Sequence, residues 1–183
     1  MMILNTVKYA NAENTIVIFD NGSIVADAPE IKQWVLDGGT IEAYKTNQEL
    51  FNKAVTDKET EIKNSFLEAE VLPVVVTTAQ GDVSFHGGRS SAQALDGKQR
   101  TTEKSKALNI IPTDDVKFFD VANVTYTFTM ADAILVVLAV SNRYETDLYT
   151  YKERINAIKA VVFDGSTEVK ALASIDAVKA ITW

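Results

Sequence analysis

An α+β fold is predicted by three features of the chain. Between Thr129 and Val162 runs one long amphipathic pattern, in which Val137, Tyr144, Leu148, Tyr151, Ile155, Ile158 and Val162 follow at spacings of 7, 4, 3, 4, 3 and 4. That is the seam of a helix that packs along its length on other helices. Short β-branched runs punctuated by Gly and Asn recur before it, and a second charged helical stretch joins the two regions.

The elements follow in order. Ile3 to Tyr9 and Thr15 to Phe19 are strand-like and separated by polar Asn11–Asn14. Asp20-Asn21-Gly22-Ser23 predicts a tight hairpin turn, with Ser23 to Ala26 returning. Pro29 suits the first turn of a helix, Glu30 to Leu36 continues it, and Gly38-Gly39 ends it. Ile31, Trp34 and Val35 give that helix an apolar face for the hairpin. Thr40 to Tyr44 reads as one more short strand.

Thr46 and Glu49 form a capping box opening a helix to about Leu72, where Pro73 stops it. Its face carries Phe51, Val55, Ile62, Phe66 and Ala69, interrupted by Lys58. This reads as a solvated connector with one sticky side, or as a self-association helix. Val71 to Thr78 and Val83 to Phe85 predict a hairpin about Gln80-Gly81-Asp82. Ser90 to Leu108 reads as helix, weakened at Gly97. Val116 to Phe119 and Asn123 to Phe128 are strand candidates. Thr129 is the expected N-cap of the long helix, with Asp132 complementing its N-terminus. Asp164-Gly165 is expected to end it. Ser166-Thr167-Glu168 opens a last helix with Val169, Leu172, Ile175, Val178 and Ile181 as its stripe, and Trp183 follows as an apolar anchor. The segments are therefore a small N-terminal β-hairpin/helix unit (1–45), a connector helix (46–72) and a C-terminal α+β domain of short strands packed on a long helix (73–183).

Composition narrows the function. The 183 residues suffice for one ordinary domain or two small ones, and 46% apolar residues suffice for a core. A formal net charge of −7 argues against nonspecific nucleic-acid binding, which needs an excess of Lys and Arg. With no Cys there are no disulfides or thiolate metal sites. The start shows no basic region of a signal peptide. The most apolar run, Ala131 to Val140, is too short to span a bilayer. No membrane or nucleic-acid partner is expected.

Chemistry has little to stand on. The single His86 lies in Phe85-His86-Gly87-Gly88-Arg89-Ser90-Ser91. Its glycines would let backbone N–H groups cradle an anion, but the phosphate-loop and dinucleotide spacings are absent. A turn into a helix N-terminus explains it better. One His and no Cys do not make a structural zinc site, and no Gly-x-Ser-x-Gly elbow supports a triad. Asp114-Asp115 read as solvated loop acids. Tyr144 and Tyr151 fall on the helix seam, and Tyr126 lies in an alternating strand. No catalytic residue, metal or cofactor is expected.

Two regions together resemble tail proteins of tailed bacteriophages. Lys8-Tyr9-Ala10-Asn11, Ile16-Val17-Ile18, Asp20-Asn21-Gly22, Trp34 and Gly38-Gly39-Thr40-Ile41-Glu42-Ala43-Tyr44 are similar to the short module that opens many tail-fibre-region and tail-fibre-assembly proteins. Gly81 to Gly88, Ser90-Ser91-Ala92, the long helix after Thr129 and the terminal Trp183 resemble an uncharacterised domain at the C-termini of such proteins. That family often carries a Trp in the strand before the long helix, where this chain has Phe118-Phe119. The resemblance implies a non-enzymatic structural protein of the fibre or baseplate region, made in the host cytoplasm and placed in the virion tail. It would act as adaptor or fibre-proximal component, partnered by other tail proteins in a homo-oligomer or multi-chain assembly. The alternative is a tail-fibre assembly chaperone not retained in the virion, and a small glycan-degrading enzyme comes third. Phe51, Val55, Ile62, Phe66, Tyr144 and Tyr151 are the expected interaction residues.

Overall fold

The computed structural model describes residues 7–19, 22–113 and 115–183. Among them the chain is an α+β protein of helices and small antiparallel sheets. Its first half holds β1 (Lys8–Tyr9), β2 (Ile16–Phe19), β3 (Gly22–Val25), α1 (Pro29–Leu36), α2 (Asn47–Glu70), β4 (Val74–Thr78) and β5 (Gly81–Phe85). Then come α3 (Gly88–Ala107), β6 (Val116–Phe119), β7 (Thr125–Phe128), α4 (Met130–Ala160) and α5 (Glu168–Lys179). Contacts group the residues through Ala54 with Phe163–Asp176, and Val55–Val162 with Ala177–Trp183. The division falls inside α2 and inside α5.

In the first unit β1, β2 and β3 form one sheet in that order. The Asn11 side chain shapes the first turn, its Oδ1 accepting from the N–H groups of Thr15 (3.0 Å) and Ile16 (3.3 Å). β2 and β3 pair from Ile16↔Val25 to Phe19↔Gly22. Asp20 and Asn21 of the expected turn, and the strand residues before Val7, lie outside the described residues. Val7, Val17, Ala28 and Ile31 form a small core, edged by Tyr9, Trp34 and Ile41. Val35, expected on that face, is exposed instead.

Helix α1 ends in a Schellman motif: Gly38 N–H donates to Val35 C=O and Gly39 N–H to Trp34 C=O, each at 3.0 Å. Gly38 takes φ +93°, and the Gly39 backbone lies so close to the Trp34 indole that a Cβ would collide with it. The strand expected over Thr40–Tyr44 is reduced to one parallel bridge, Lys8↔Glu42. Two backbone bonds, from Tyr9 N–H to Glu42 C=O and from Glu42 N–H to Val7 C=O (both 2.9 Å), make it.

The capping box closes as expected. Thr46 N–H donates to the Glu49 carboxylate at 2.7 Å, and Glu49 N–H to the Thr46 hydroxyl at 3.2 Å. The Thr46 backbone bond and then its hydroxyl hold the Glu49 carboxyl below its usual pKa. Later in the same unit the Phe163 ring packs on Phe51, centroids 5.2 Å apart. The Asp164 carboxylate accepts from Ser166 N–H (3.0 Å) and from the Lys170 ammonium (3.2 Å). Asp164 N–H donates to the Ser174 hydroxyl at 3.1 Å.

Hydrogen bonds from Ser166 first, and then from Lys170, lower the Asp164 pKa from 3.8 to about 2. A folded-state pKa below the unfolded value gives stability that is present above the unfolded value and lost as pH falls through the folded one. Asp164→Asn is therefore expected to melt below the wild type at pH 5, with the difference closing between pH ~4 and ~2. Thermal melts across that range check it; a gap that stays constant would show that the carboxylate charge has no part.

In the second unit, two hairpins and two helices share one core. β4 pairs β5 from Val74↔Phe85 to Thr78↔Gly81, and β6 pairs β7 from Val116↔Phe128 to Phe119↔Thr125. Val76, Val83, Phe85, Ala92, Val116, Phe118 and Phe128 meet Ala133, Val136, Val137 and Val140 of α4. Phe85, Phe118 and Phe128 form a triangle of rings with centroids 5.9–6.3 Å apart. Strand β4 starts only after Pro73; Val71 and Leu72 are exposed in a turn, because a residue before proline is pushed away from helical conformations while the ring itself bars continuation. The turn of this hairpin is Ala79-Gln80, with Gly81 already in β5 at φ +92°.

Two of the expected stripes shift. Helix α4 begins at the Thr129 cap, whose hydroxyl accepts Asp132 N–H at 3.2 Å, but ends at Ala160 rather than at Asp164-Gly165. Val161, Val162 and Phe163 have weak helical preference, and Val161 is already extended (φ −73°, ψ 117°). Val162 is thus exposed, and the buried face of α4 extends upstream to Ala133, Val136 and Val140. On α5 the buried positions are Ala171, Ser174, Ile175 and Val178, while Val169 and Leu172 of the expected stripe face out.

Candidate functional site

The Gly87-Gly88-Arg89 turn is built for close packing. Glycine at 87 and 88 lets the chain pass the end of α2: a Cβ on Gly87 would strike the carbonyls of Glu70 and Leu72. One on Gly88 would lie 2.8 Å from Glu70 Cγ. The free N–H groups opening α3 do meet an anion, but it belongs to the chain. Arg89 N–H donates to the Glu70 carboxylate at 3.0 Å. A carboxylate is favourable at the positive end of a helix dipole, so the anion cradle that the glycines suggest already has an occupant.

His86, next to this turn, is exposed. It edges a pocket of about 300 Å³ between the end of β5, one face of α3 and β6. Among the described residues no group of three or more His, Asp and Glu is placed to hold a metal ion. Asp115 is exposed in the loop before β6, and Asp114 lies outside the described residues.

The six expected interaction residues separate into two sets. Phe51 and Ile62 are buried in the chain itself, Ile62 completely, so they are not surface groups awaiting a partner. Val55, Phe66, Tyr144 and Tyr151 are half-buried. Phe66 of α2 stacks on Tyr151 of α4 at 5.0 Å and touches the Trp183 ring at 6.3 Å. This stacking covers much of the stripe that a lone helix in water would leave exposed. Tyr144 lines a separate groove with Arg89, Asp96 and Arg100 of α3.

Lys58, the apparent break in the α2 stripe, is part of it. Its side chain is only 11% exposed and its ammonium pairs with Glu61 at 2.7 Å, so the methylene stem fills the seam while the charge escapes sideways. Tyr151→Ala is expected to cost about 2 kcal/mol by removing the stacked ring, whereas Lys152→Ala, exposed beside it, stays within about 0.5 kcal/mol. Urea denaturation compares them; equal midpoints would mean that the Phe66–Tyr151 stack adds nothing.

The side chains that gather around His86 are scattered in the sequence. Ser91, Leu95 and Lys98 occupy one face of α3, and Phe119 faces out from β6. The signal was present as the i, i+4, i+7 spacing in α3 and as the strict alternation of β6. These groups belong to an α+β protein whose described side chains offer packing seams and one aromatic-floored pocket. Comparison with protein-family models, curated proteins and solved structures finds no match.

Proposed function

We propose that this chain is a non-enzymatic structural protein of a bacteriophage tail, an adaptor in the fibre or baseplate region that works within a multi-chain assembly. The observation that best supports an assembly role is the outer side of α4. Its first eleven residues are apolar nearly all round: Ala133, Val136, Val137 and Val140 face the core, while Ile134, Leu135 and Leu138 are left 41–52% exposed. A helix apolar on every side is normally covered on every side, and no helix among the described residues is long and apolar enough to cross a membrane. Contiguous exposed apolar surface is characteristic of protein–protein contact. The non-enzymatic part is supported by the setting of His86, an exposed side chain in a pocket that no carboxylate among the described residues lines. The tail assignment itself rests on the order of the N-terminal module, the linking helix and the long helix.

Mass spectrometry of purified virions tests it, with abundant peptides of this chain expected. Their absence, with capture of a fibre protein during assembly, would replace the structural role with that of a chaperone. Light scattering on the chain with Ile134 and Leu138 changed to Ser is expected to show a smaller assembly than the wild type.

A further inference from the structure

The pocket beside His86 combines three features. Its floor is aromatic: Phe85 and Phe118, each 1% exposed, meet edge-on at 6.3 Å. One wall is Phe119, a ring left 55% exposed at the surface, and another is Leu95. Its mouth is polar and cationic. Lys98 holds its ammonium 5.1 Å above the Phe119 ring, and Ser91 and His86 stand on the rim. Among the described residues the side chains of Lys98, Ser91 and His86 have no ion-pair or hydrogen-bond partner.

The charge is more telling than the shape. Among the described residues no carboxylate lines the pocket. The nearest acids in sequence are engaged elsewhere: Asp96 with Arg100 at 2.8 Å, and Asp120 with the N–H groups of Ala122 and Val124. Of the basic side chains of α3, Lys98 lines this pocket, in a chain of net charge −7. A basic, aromatic-floored pocket on an acidic protein is complementary to an apolar group with negative charge beside it. Its volume lies at the low end for ligand sites. That leaves room for one large ring and not for a nucleotide-sized cofactor.

We propose that this pocket is a docking site for an acidic segment of a partner protein, which inserts one aromatic side chain over Phe85 and Phe118 and sets a neighbouring carboxylate against Lys98. The aromatic anchor supplies the buried area, as anchors at protein interfaces commonly do. The Lys98 ammonium has three N–H donors and can meet a carboxylate without leaving the Phe119 face. The ligand chemistry is independent of the tail assignment: the site would serve any partner presenting such a segment.

Fluorescence anisotropy with a labelled Asp-Glu-Trp-Glu-Asp peptide and the full chain tests this. Binding is expected to be at least about tenfold tighter than for Lys-Lys-Trp-Lys-Lys or for the acidic peptide with Ala in place of Trp. It should weaken as salt rises. Lys98→Glu should lose about tenfold, and Ala94→Trp, which fills the pocket from an exposed position of α3, should abolish binding. Both variants are expected to melt like the wild type, so a loss reports on the site. No binding of the acidic peptide, equal binding of the basic one, or unchanged affinity in both variants would overturn the proposal. So would free indole-3-acetate binding as tightly as the peptide, since the ligand would then be a small carboxylate.

Discussion

Phe118→Ala is expected to destabilise the protein by roughly 3–5 kcal/mol, while Phe119→Ala, one residue along the same strand, costs less than about 1 kcal/mol. Phe118 is 1% exposed and forms one corner of the ring triangle with Phe85 and Phe128, at 6.3 and 5.9 Å. Its truncation removes a large buried surface and leaves a hole that two rigid neighbours cannot close. Phe119 points the other way, because side chains alternate along a strand. It is 55% exposed, and its contact with Lys98 is a surface cation–π pair. Chemical denaturation of the two variants is the check. Similar midpoints would mean that β6 does not present alternate faces to core and solvent.

The second large effect concerns Gly88. Its φ of +83° is unfavourable for any residue with a Cβ, and that Cβ would sit 3.0 Å from Glu70 O and 2.8 Å from Glu70 Cγ. The backbone conformation alone is worth about 1–3 kcal/mol, and the neighbouring carbonyl cannot retreat without disturbing the end of α2. Gly88→Ala is thus expected to lower stability by at least that amount. Gly97, in the middle of α3, has nothing within 4 Å of its missing Cβ. Gly97→Ala should therefore stabilise by about 0.5–1 kcal/mol, since glycine costs conformational entropy in a helix interior. Melting temperatures moving in opposite directions would confirm the contrast; a neutral Gly88→Ala would mean that the α2–β4 corner can shift freely.

Local signals in the sequence were reliable where one residue's chemistry decides the outcome. The Thr46–Glu49 box, the Thr129 cap, Pro29 at the first turn of α1 and the β6 span were all legible, because caps and alternation act within a few residues. Positions chosen by packing were not. Val169 and Leu172 fit a helical stripe, yet Ala171 and Ser174 are the buried ones, since spacing fixes a stripe's period but not which face meets the core. The Ser174 hydroxyl is turned inward by its bonds to Lys170 C=O and Asp164 N–H, which composition cannot reveal. Likewise Lys58 looked like a break, because its charge is visible in the sequence and the reach of its stem is not. Of the candidate site, Phe85 and His86 are legible as neighbours in the sequence; Lys98 and Phe119 are not, because the two elements holding them meet only in the folded chain.

The grouping of contacts has a consequence for how the molecule is made. Neither unit is a continuous stretch: the one reaching to Ala54 is completed by Phe163–Asp176, and the one from Val55 to Val162 by Ala177–Trp183. Chains usually fold domain by domain as they leave the ribosome, earliest domain first. Here the early segment must wait for more than a hundred later residues before the Phe163 ring that covers Phe51 exists. During synthesis Phe51 is therefore uncovered on that side until Phe163 emerges.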